Sequence, residues 1–374
     1  VNDEAASTIA RVSGSVVATD ANDLNSALMT AKGEVVVCGT YILVHVAALD
    51  LVVADLLREY SENPGINPGD MFMTNNPHVG GPHQPDVIVV APIFDGDRLI
   101  AWCGSVVHQS DVGGPVPGSI VVGARSIFEE AIPMAPVKIV EAGVMRKDLE
   151  RAYLIRSRTP ELNALDLLGQ VAANRLHTER VQEICRHYGT DTFLATLEQM
   201  IDTTETQFRR RLSELPDGRW RHTGYVEHDG IEDRIYTVRL VMTKVADHLE
   251  LDFTDSSPQA PALINASLGH LHSYGLSAIM TLLGYGLPWI PPAYWRAIDL
   301  RSRPGTVVHS VWPAGCSMGG TATGHEIRTV LNVCISRMLD ASAEYADRVM
   351  ASCMCSAPGQ TLAGTTAGAA KPGR

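Results

Sequence analysis

No stretch of this chain approaches the roughly eighteen consecutive apolar residues that a membrane-spanning helix needs, so no span and no membrane partner are expected. Positive charge is scarce as well: 30 Lys and Arg stand against 42 Asp and Glu, a net charge of −12 at pH 7. Binding to a phosphate backbone needs a basic face, which leaves no nucleic-acid partner to expect. The seven cysteines, Cys38, Cys103, Cys185, Cys316, Cys334, Cys353 and Cys355, are odd in number and scattered, so they imply no disulfide framework and fit a cytoplasmic compartment. Cys38 and Cys103 lie in apolar runs and read as small core residues. Cys353 and Cys355 read as alternate positions of one strand rather than as soft-metal ligands. A Gly-x-x-x-x-Gly-Lys-Ser/Thr loop for nucleotide phosphates is missing, and so is a basic-then-apolar secretion segment. Val1 is not an initiator residue, so a short preceding piece is expected.

What is present reads as a globular protein: 374 residues, 45% hydrophobic and 19% charged. That length exceeds one ordinary hydrophobic core and calls for subdomains. The pattern predicts a mixed α+β fold. A strand-rich part covers residues 1–146 and bears the chemistry, a helical segment covers 147–217, and a second α+β part covers 218–374. The closing tail, residues 359–374, is built of small residues and is expected not to close a core.

The chemistry concentrates in residues 69–118. Two copies of His-x-x-Asp lie there, His83 with Asp86 and His108 with Asp111. Between them, residues 87–93 and 99–107 are apolar runs suited to strands buried on both faces, joined by the turn signal Asp95-Gly96-Asp97. A hairpin would bring its open ends together and gather both pairs at one point. Imidazole and carboxylate so placed suit a divalent transition metal; equally, such residues cap turns in Pro- and Gly-rich loops. His78 stands nearby as a residue for supporting or substrate-facing contacts. Glu130 is a candidate general base, with a solvated loop carboxylate as the competing reading. His45, in an apolar context, reads as a structural histidine.

Elsewhere, residues 25–29 and 34–38 predict a short hairpin and residues 49–60 a helix. A further strand is expected after Gly118. Helices are expected over 148–156, 162–187 and 191–215, with Arg175, His177, Glu179, Arg180, Arg186 and His187 on polar faces. Residues 219–253 alternate like antiparallel strands, and 265–283 and 324–339 read as helices.

The blocks NNPHVGGPHQPDV, HQSDVGGPVPGS, IFEEAIPMAPVKIVEAG and RTPEL followed by QVAANR resemble the hydantoinase B/oxoprolinase family, over almost the whole chain, and residues 304–308 resemble one of that family's strands. The resemblance implies a B-type subunit of a two-component, ATP-dependent cyclic amide hydrolase acting on hydantoin, 5-oxoproline or lactam rings. ATP would be bound by an A-type partner subunit in a hetero-oligomer, leaving this chain inactive alone. It also implies metal ligands at His83, Asp86 and His108, with an acidic residue from the opening segment. Asp23 takes that place in preference to Asp20. Asp111 would orient a ligand imidazole, or serve as a plain turn aspartate before Gly113. Manganese, iron or zinc suits such a set, and the metal would activate a water. The same family contains metal-bearing subunits of acetone- and acetophenone-type ketone carboxylases, the second reading. A non-catalytic scaffold subunit is the third. Family members usually continue further, so an incomplete C-terminus is expected.

Overall fold

The structure is a computed structural model and describes residues 1–39 and 41–342. Cys353, Cys355 and the small-residue tail lie outside the described residues. Helices α1 (Asn2–Val12) and α2 (Val16–Thr19) lead into the hairpin β1 (Leu24–Thr30) and β2 (Val35–Cys38). Two helices follow, the short α3 (Leu43–Val46) and the amphipathic α4 (Leu49–Glu59), and then β3 (Met71–Thr74). The two apolar runs form β4 (Asp86–Asp95) and β5 (Arg98–His108), which turn at Gly96 with φ +57°. Strands β6 (Val137–Glu141) and β7 (Val144–Met145) complete a seven-stranded antiparallel sheet of order β2-β1-β5-β4-β3-β6-β7.

The unbroken apolar character of β4 follows from cover on both faces. Helices α5 (Lys147–Leu154), α6 (Pro160–Tyr188) and α7 (Thr190–Ser213) come next in the chain. Val87, Val89 and Ile93 share a core with Leu167, Val171 and Val181 of α6 and Ile201 of α7. On the opposite face Ile88 and Val90 pack against Leu49, Val52, Val53 and Leu56 of α4. Each such buried side chain stabilises by about 1.5–3 kcal/mol. Helix α6 is also bonded to the sheet through polar side chains. Gln170 Nε2 donates to the carbonyls of Val87 (2.9 Å) and Ser105 (3.2 Å), and Asn174 Nδ2 to that of Val89 (2.9 Å). The helical middle therefore covers one face of the first sheet.

The second sheet has the order β11-β10-β9-β8, built from β8 (Gly218–Val226), β9 (Tyr236–Val245), β10 (His248–Asp252) and β11 (Ile298–Arg301). Between β10 and β11 lie α8 (Leu268–Leu282) and α9 (Pro291–Trp295), and α10 (His325–Asp340) follows. Val238, Leu240, Met242 and Leu251 pack against Leu276 and Ile279 of α8, Val330 and Leu331 of α10, and Phe208 and Leu212 at the end of α7.

Four expectations need correction. Residues 119–126 form no strand: Gly118, Ser119 and Gly123 all take positive φ, and Ser119 Oγ accepts from Val112 N at 2.8 Å, which curls the segment into turns. His177 is not on a polar face but buried, without a hydrogen-bond partner at either ring nitrogen among the described residues, and burial pushes it down to about 4. Residues 304–308 make only the isolated bridges Pro258↔Thr306 and Thr306↔His309, because β11 already fills the parallel position beside β10. The helix expected from 265 starts at Leu268, since Asn265 uses its side chain in the preceding loop.

Asp50, in the first turn of α4, has a buried Oδ1 without a hydrogen-bond partner, and burial raises its carboxyl from 3.8 to about 6. A carboxyl raised in the folded state stabilises most below its unfolded value, and that contribution is lost as pH rises through the folded value. Asp50→Asn is therefore expected to raise the melting temperature at pH 7, by about 1–2 kcal/mol of stability for a part-exposed group, and to do nothing near pH 3.5. Thermal melts at the two pH values test this; an equal effect at both would sink it.

Candidate metal centre

The strand register builds the centre. Asp86 opens β4 and stands directly opposite His108, which closes β5. On the other side of β5, Leu24 pairs with Val107, and Asp23 just before it accepts the His108 backbone N–H at 3.0 Å. Three adjacent strand ends thus present Asp23, Asp86 and His108 together. His83 joins from a tight turn in which Asp86 N donates to the His83 carbonyl (3.0 Å) and Gln109 N to that of Pro85 (2.9 Å). The turn is reached through Gly80, with φ +127°, where a Cβ would meet the Ala48 carbonyl and Leu51 at 3.0 Å.

Ligand atoms of His83, Asp86 and His108 all lie within 4.8 Å of one another. His108 Nδ1 is 2.8 Å from Asp86 Oδ1, His83 Nε2 is 3.2 Å from the same oxygen, and the two ring nitrogens are 3.2 Å apart. Asp23 Oδ2 is 3.8 Å from His108 Nδ1, while Asp20 is exposed. His45, read from sequence as structural, belongs here too: its Nε2 is 3.2 Å from Asp23 Oδ1 and 3.5 Å from Asp86 Oδ2. Helix α3 delivers it from beneath.

Hydrogen bonds fix the proton at His83. Its Nδ1 sits 2.9 Å from the Ser317 carbonyl, which can only accept. In its neutral form the ring therefore carries its proton on Nδ1 and turns the Nε2 lone pair toward Asp86 and His108. A lone pair facing a carboxylate at 3.2 Å calls for a cation between them, and two imidazole nitrogens with carboxylate oxygens suit a transition metal better than calcium. The residues fit the group. Burial raises the Asp86 carboxyl, but the charges of His83 and His45 and the His108 hydrogen bond outweigh it and hold it well below the usual carboxylate range. Burial likewise raises Asp23, and the His45 hydrogen bond brings it net below. His45 and His108 are pushed down by burial and raised further by Asp86 and Asp23, ending above the ordinary histidine value.

The second half of the chain supplies the opposite wall through residues 312–320. Glu130, expected as a solvated carboxylate or a base, is buried and accepts from Gln84 Nε2 (2.6 Å), Cys316 N (3.1 Å), Ser317 N (3.1 Å) and Ser317 Oγ (2.7 Å). Those four donors occupy it as a clasp between the His83 turn and the Ser317 segment. Asn265 Nδ2 holds the same segment by donating to the Gly315 carbonyl at 3.0 Å. His78 Nε2 lies 3.2 Å from the Ala314 carbonyl, making its contact with this wall. Asp111 does not orient an imidazole. Its carboxylate accepts from Gly113 N, Gly118 N and Arg158, the turn-aspartate role with an added ion pair of 3.0 Å. Sequence reasoning missed Ser317; the available signal was the small-residue run PAGCSMGGTATG, where Gly319 lies so close to the Asn265 carbonyl that no Cβ fits.

Fold and site together define an α+β protein with a His/Asp cluster that could hold a cation, seated at the strand ends of an antiparallel sheet. The chain belongs to the hydantoinase B/oxoprolinase family, whose model matches residues 1–371. Among curated relatives it is 27% identical to the acetophenone carboxylase delta subunit of Aromatoleum aromaticum, over 86% of this chain and 47% of that one. It is 29% identical to 5-oxoprolinase 1 of Arabidopsis thaliana (87% and 27%) and 26% identical to the caprolactamase beta subunit of Pseudomonas jessenii (82% and 52%). The chain thus spans about half or less of the length of these relatives. Two solved structures share the fold. Nucleotide-free acetone carboxylase gives a TM-score of 0.86 at 21% identity, covering 92% of this chain and 47% of that one. The ATP-dependent caprolactamase of Pseudomonas jessenii gives 0.83 at 23%, covering 92% and 58%. Among the described residues no helix is long and apolar enough to cross a membrane.

Proposed function

We propose that this chain is the metal-bearing component of a two-component, ATP-dependent enzyme that opens a cyclic amide. The observation that carries the reading is the His83–Asp86–His108 cluster, with the Ser317 carbonyl fixing the His83 Nδ1 proton. His83 Nε2, His108 Nδ1 and carboxylate oxygens of Asp86 and Asp23 would hold a manganese, iron or zinc ion. Such an ion, when bound, polarises a substrate oxygen and makes water a better nucleophile at neutral pH. The chain's own residues set the stage for it. His45 holds its Nε2 proton between Asp23 and Asp86 and fixes both carboxylates. The Glu130 clasp keeps the Ser317 carbonyl against His83. Phosphate activation of the substrate falls to an A-type ATP-binding partner in a hetero-oligomer, because this sequence has no nucleotide loop. Similarity to 5-oxoprolinase 1 and the caprolactamase beta subunit supports the amide substrate.

The similarity to the acetophenone carboxylase delta subunit favours a second reading, a ketone carboxylase component. One experiment addresses both. The purified chain should hold about one transition-metal ion and show no ATP hydrolysis. Mixed with an A-type partner, ATP and a lactam or hydantoin, it should release the ring-opened amino acid without bicarbonate. ATP use with a ketone that requires bicarbonate would replace the hydrolase by the carboxylase. ATP hydrolysis by the chain alone would defeat the two-component reading.

A further inference from the structure

Helix α8 faces the centre from the second half of the chain. Its first turn packs on the turn that carries His83: a Cβ at Gly269 would lie 3.0 Å from the Gly80 carbonyl. The next residue, His270, is fully buried. Its Nδ1 is committed to the helix cap, taking the Ser267 backbone N–H at 3.1 Å with Ser267 Oγ at 2.9 Å. A backbone N–H can only donate, so Nδ1 is the acceptor and the neutral ring carries its proton on Nε2. That Nε2–H is buried and meets no acceptor among the described residues. An orphaned buried donor is costly, on the order of 1–3 kcal/mol, and in a native fold it calls for a partner from outside the chain.

The surroundings identify where that partner sits. Burial first, then the charges of His83 and His78, push the His270 ring down to about 3 against the opposing charge of Asp86, and all three of those groups reach it. The imidazole is thus a neutral donor at every working pH, as an uncharged imidazole that polarises a carbonyl must be. The Tyr274 ring stacks on it one helical turn on, with centroids 6.4 Å apart, and the Tyr274 hydroxyl rests against Gly320, where a Cβ would come within 2.8 Å. His270 is ruled out as a fifth metal ligand: ligation would need the Nε2 lone pair, and the cap leaves a proton there.

We propose that His270 is a ligand-binding residue of this centre, its Nε2–H donating to a carbonyl or carboxylate oxygen of the molecule that the centre takes. The inference rests on the metal reading above. It assigns the substrate class by chemistry: an oxygen acceptor within reach of both the cation and a neutral donor.

The test loads the full chain with Co2+ and follows its visible absorption during titration with acetate as the oxygen-anion probe. Wild type, His270→Ala and His270→Gln are compared. Both variants lose the Nδ1 cap, but the Gln amide keeps an N–H near the position of Nε2, which separates a donor role from a helix-capping one. All three should take up about one Co2+ per chain. Acetate should bind about tenfold more weakly to the Ala variant, the size of one hydrogen bond to a charged acceptor, and within about twofold of wild type to the Gln variant. Equal weakening in both variants, or none in either, overturns the inference while leaving the metal reading in place. Wild type that takes up no Co2+ overturns both. A measurement that needs no variant stands beside these: 15N-histidine spectra of the wild-type chain should show the His270 proton on Nε2, and a proton on Nδ1 overturns the inference.

Discussion

Replacing His108 with Ala is expected to empty the centre. Bound transition metal should fall from about one ion per chain to under a tenth, with affinity weakened at least a hundredfold, since loss of even a supporting residue costs roughly 10–100-fold. His108 is placed to matter this much because its Nδ1 meets both Asp86, at 2.8 Å, and His83, at 3.2 Å. His83→Ala should do the same. The fold should survive either change, because both rings are part-exposed at strand and turn ends rather than inside the two sheet cores. The far-UV circular dichroism of each variant should therefore match that of wild type. The direction of the pH effect follows from the His108 shift. Burial lowers it, but the Asp86 hydrogen bond and the charges of Asp86 and Asp23 raise it above 6.5. In the metal-free chain its charge stabilises fully below the ordinary histidine value, and that stability fades as pH rises through the raised value. A metal must displace the same proton, so uptake weakens as pH falls and releases protons near neutrality. Elemental analysis and calorimetry in buffers of different ionisation enthalpy measure both quantities. Full metal content in His108→Ala would end the assignment.

Glu130→Ala is expected to be the most destabilising single change near the site, by about 3–5 kcal/mol, or roughly 5–10 °C in melting temperature. It strands the Cys316 and Ser317 backbone N–H groups, the Gln84 amide and the Ser317 hydroxyl at once, all in a buried setting. Metal affinity should fall with it, because Ser317 no longer presses its carbonyl on His83 Nδ1. A variant that melts within about 1 °C of wild type would show that water replaces the carboxylate and that Glu130 is no clasp.

The hairpin was legible in the sequence because two local signals agreed, unbroken apolar runs and an Asp-Gly-Asp turn. Their agreement placed the Asp86 and His108 ends together, and the register pairs those residues directly. Asp23 came through the family resemblance and Asp111 was given too large a role, because a turn aspartate and an imidazole orienter look alike until Arg158 is seen beside it. The roles that were missed share one property: their meaning lies in distant partners. Glu130 bonds to Cys316 across 186 positions, and His83 to Ser317 across 234. His45 reads as apolar-context histidine because its own helix is only four residues long, and the two carboxylates it meets lie on the first sheet. His177 fooled the helical pattern in the opposite way, an ionisable ring carried on the covered side of α6.

The contact between His83 and Ser317 also bears on timing during biosynthesis. The acceptor is a main-chain carbonyl, so exchanging the side chain at 317 does not delete it; only displacement of the whole segment does. A ribosome must emit another 234 residues after His83 before that carbonyl exists. Until then nothing holds the His83 proton on Nδ1, and the first sheet, already able to pair its strands, offers an imidazole free to present either nitrogen. On the metal reading, tight ion capture waits for the Ser317 segment to be made, and a chain truncated between the two sheets would handle metal as a loose surface chelator does.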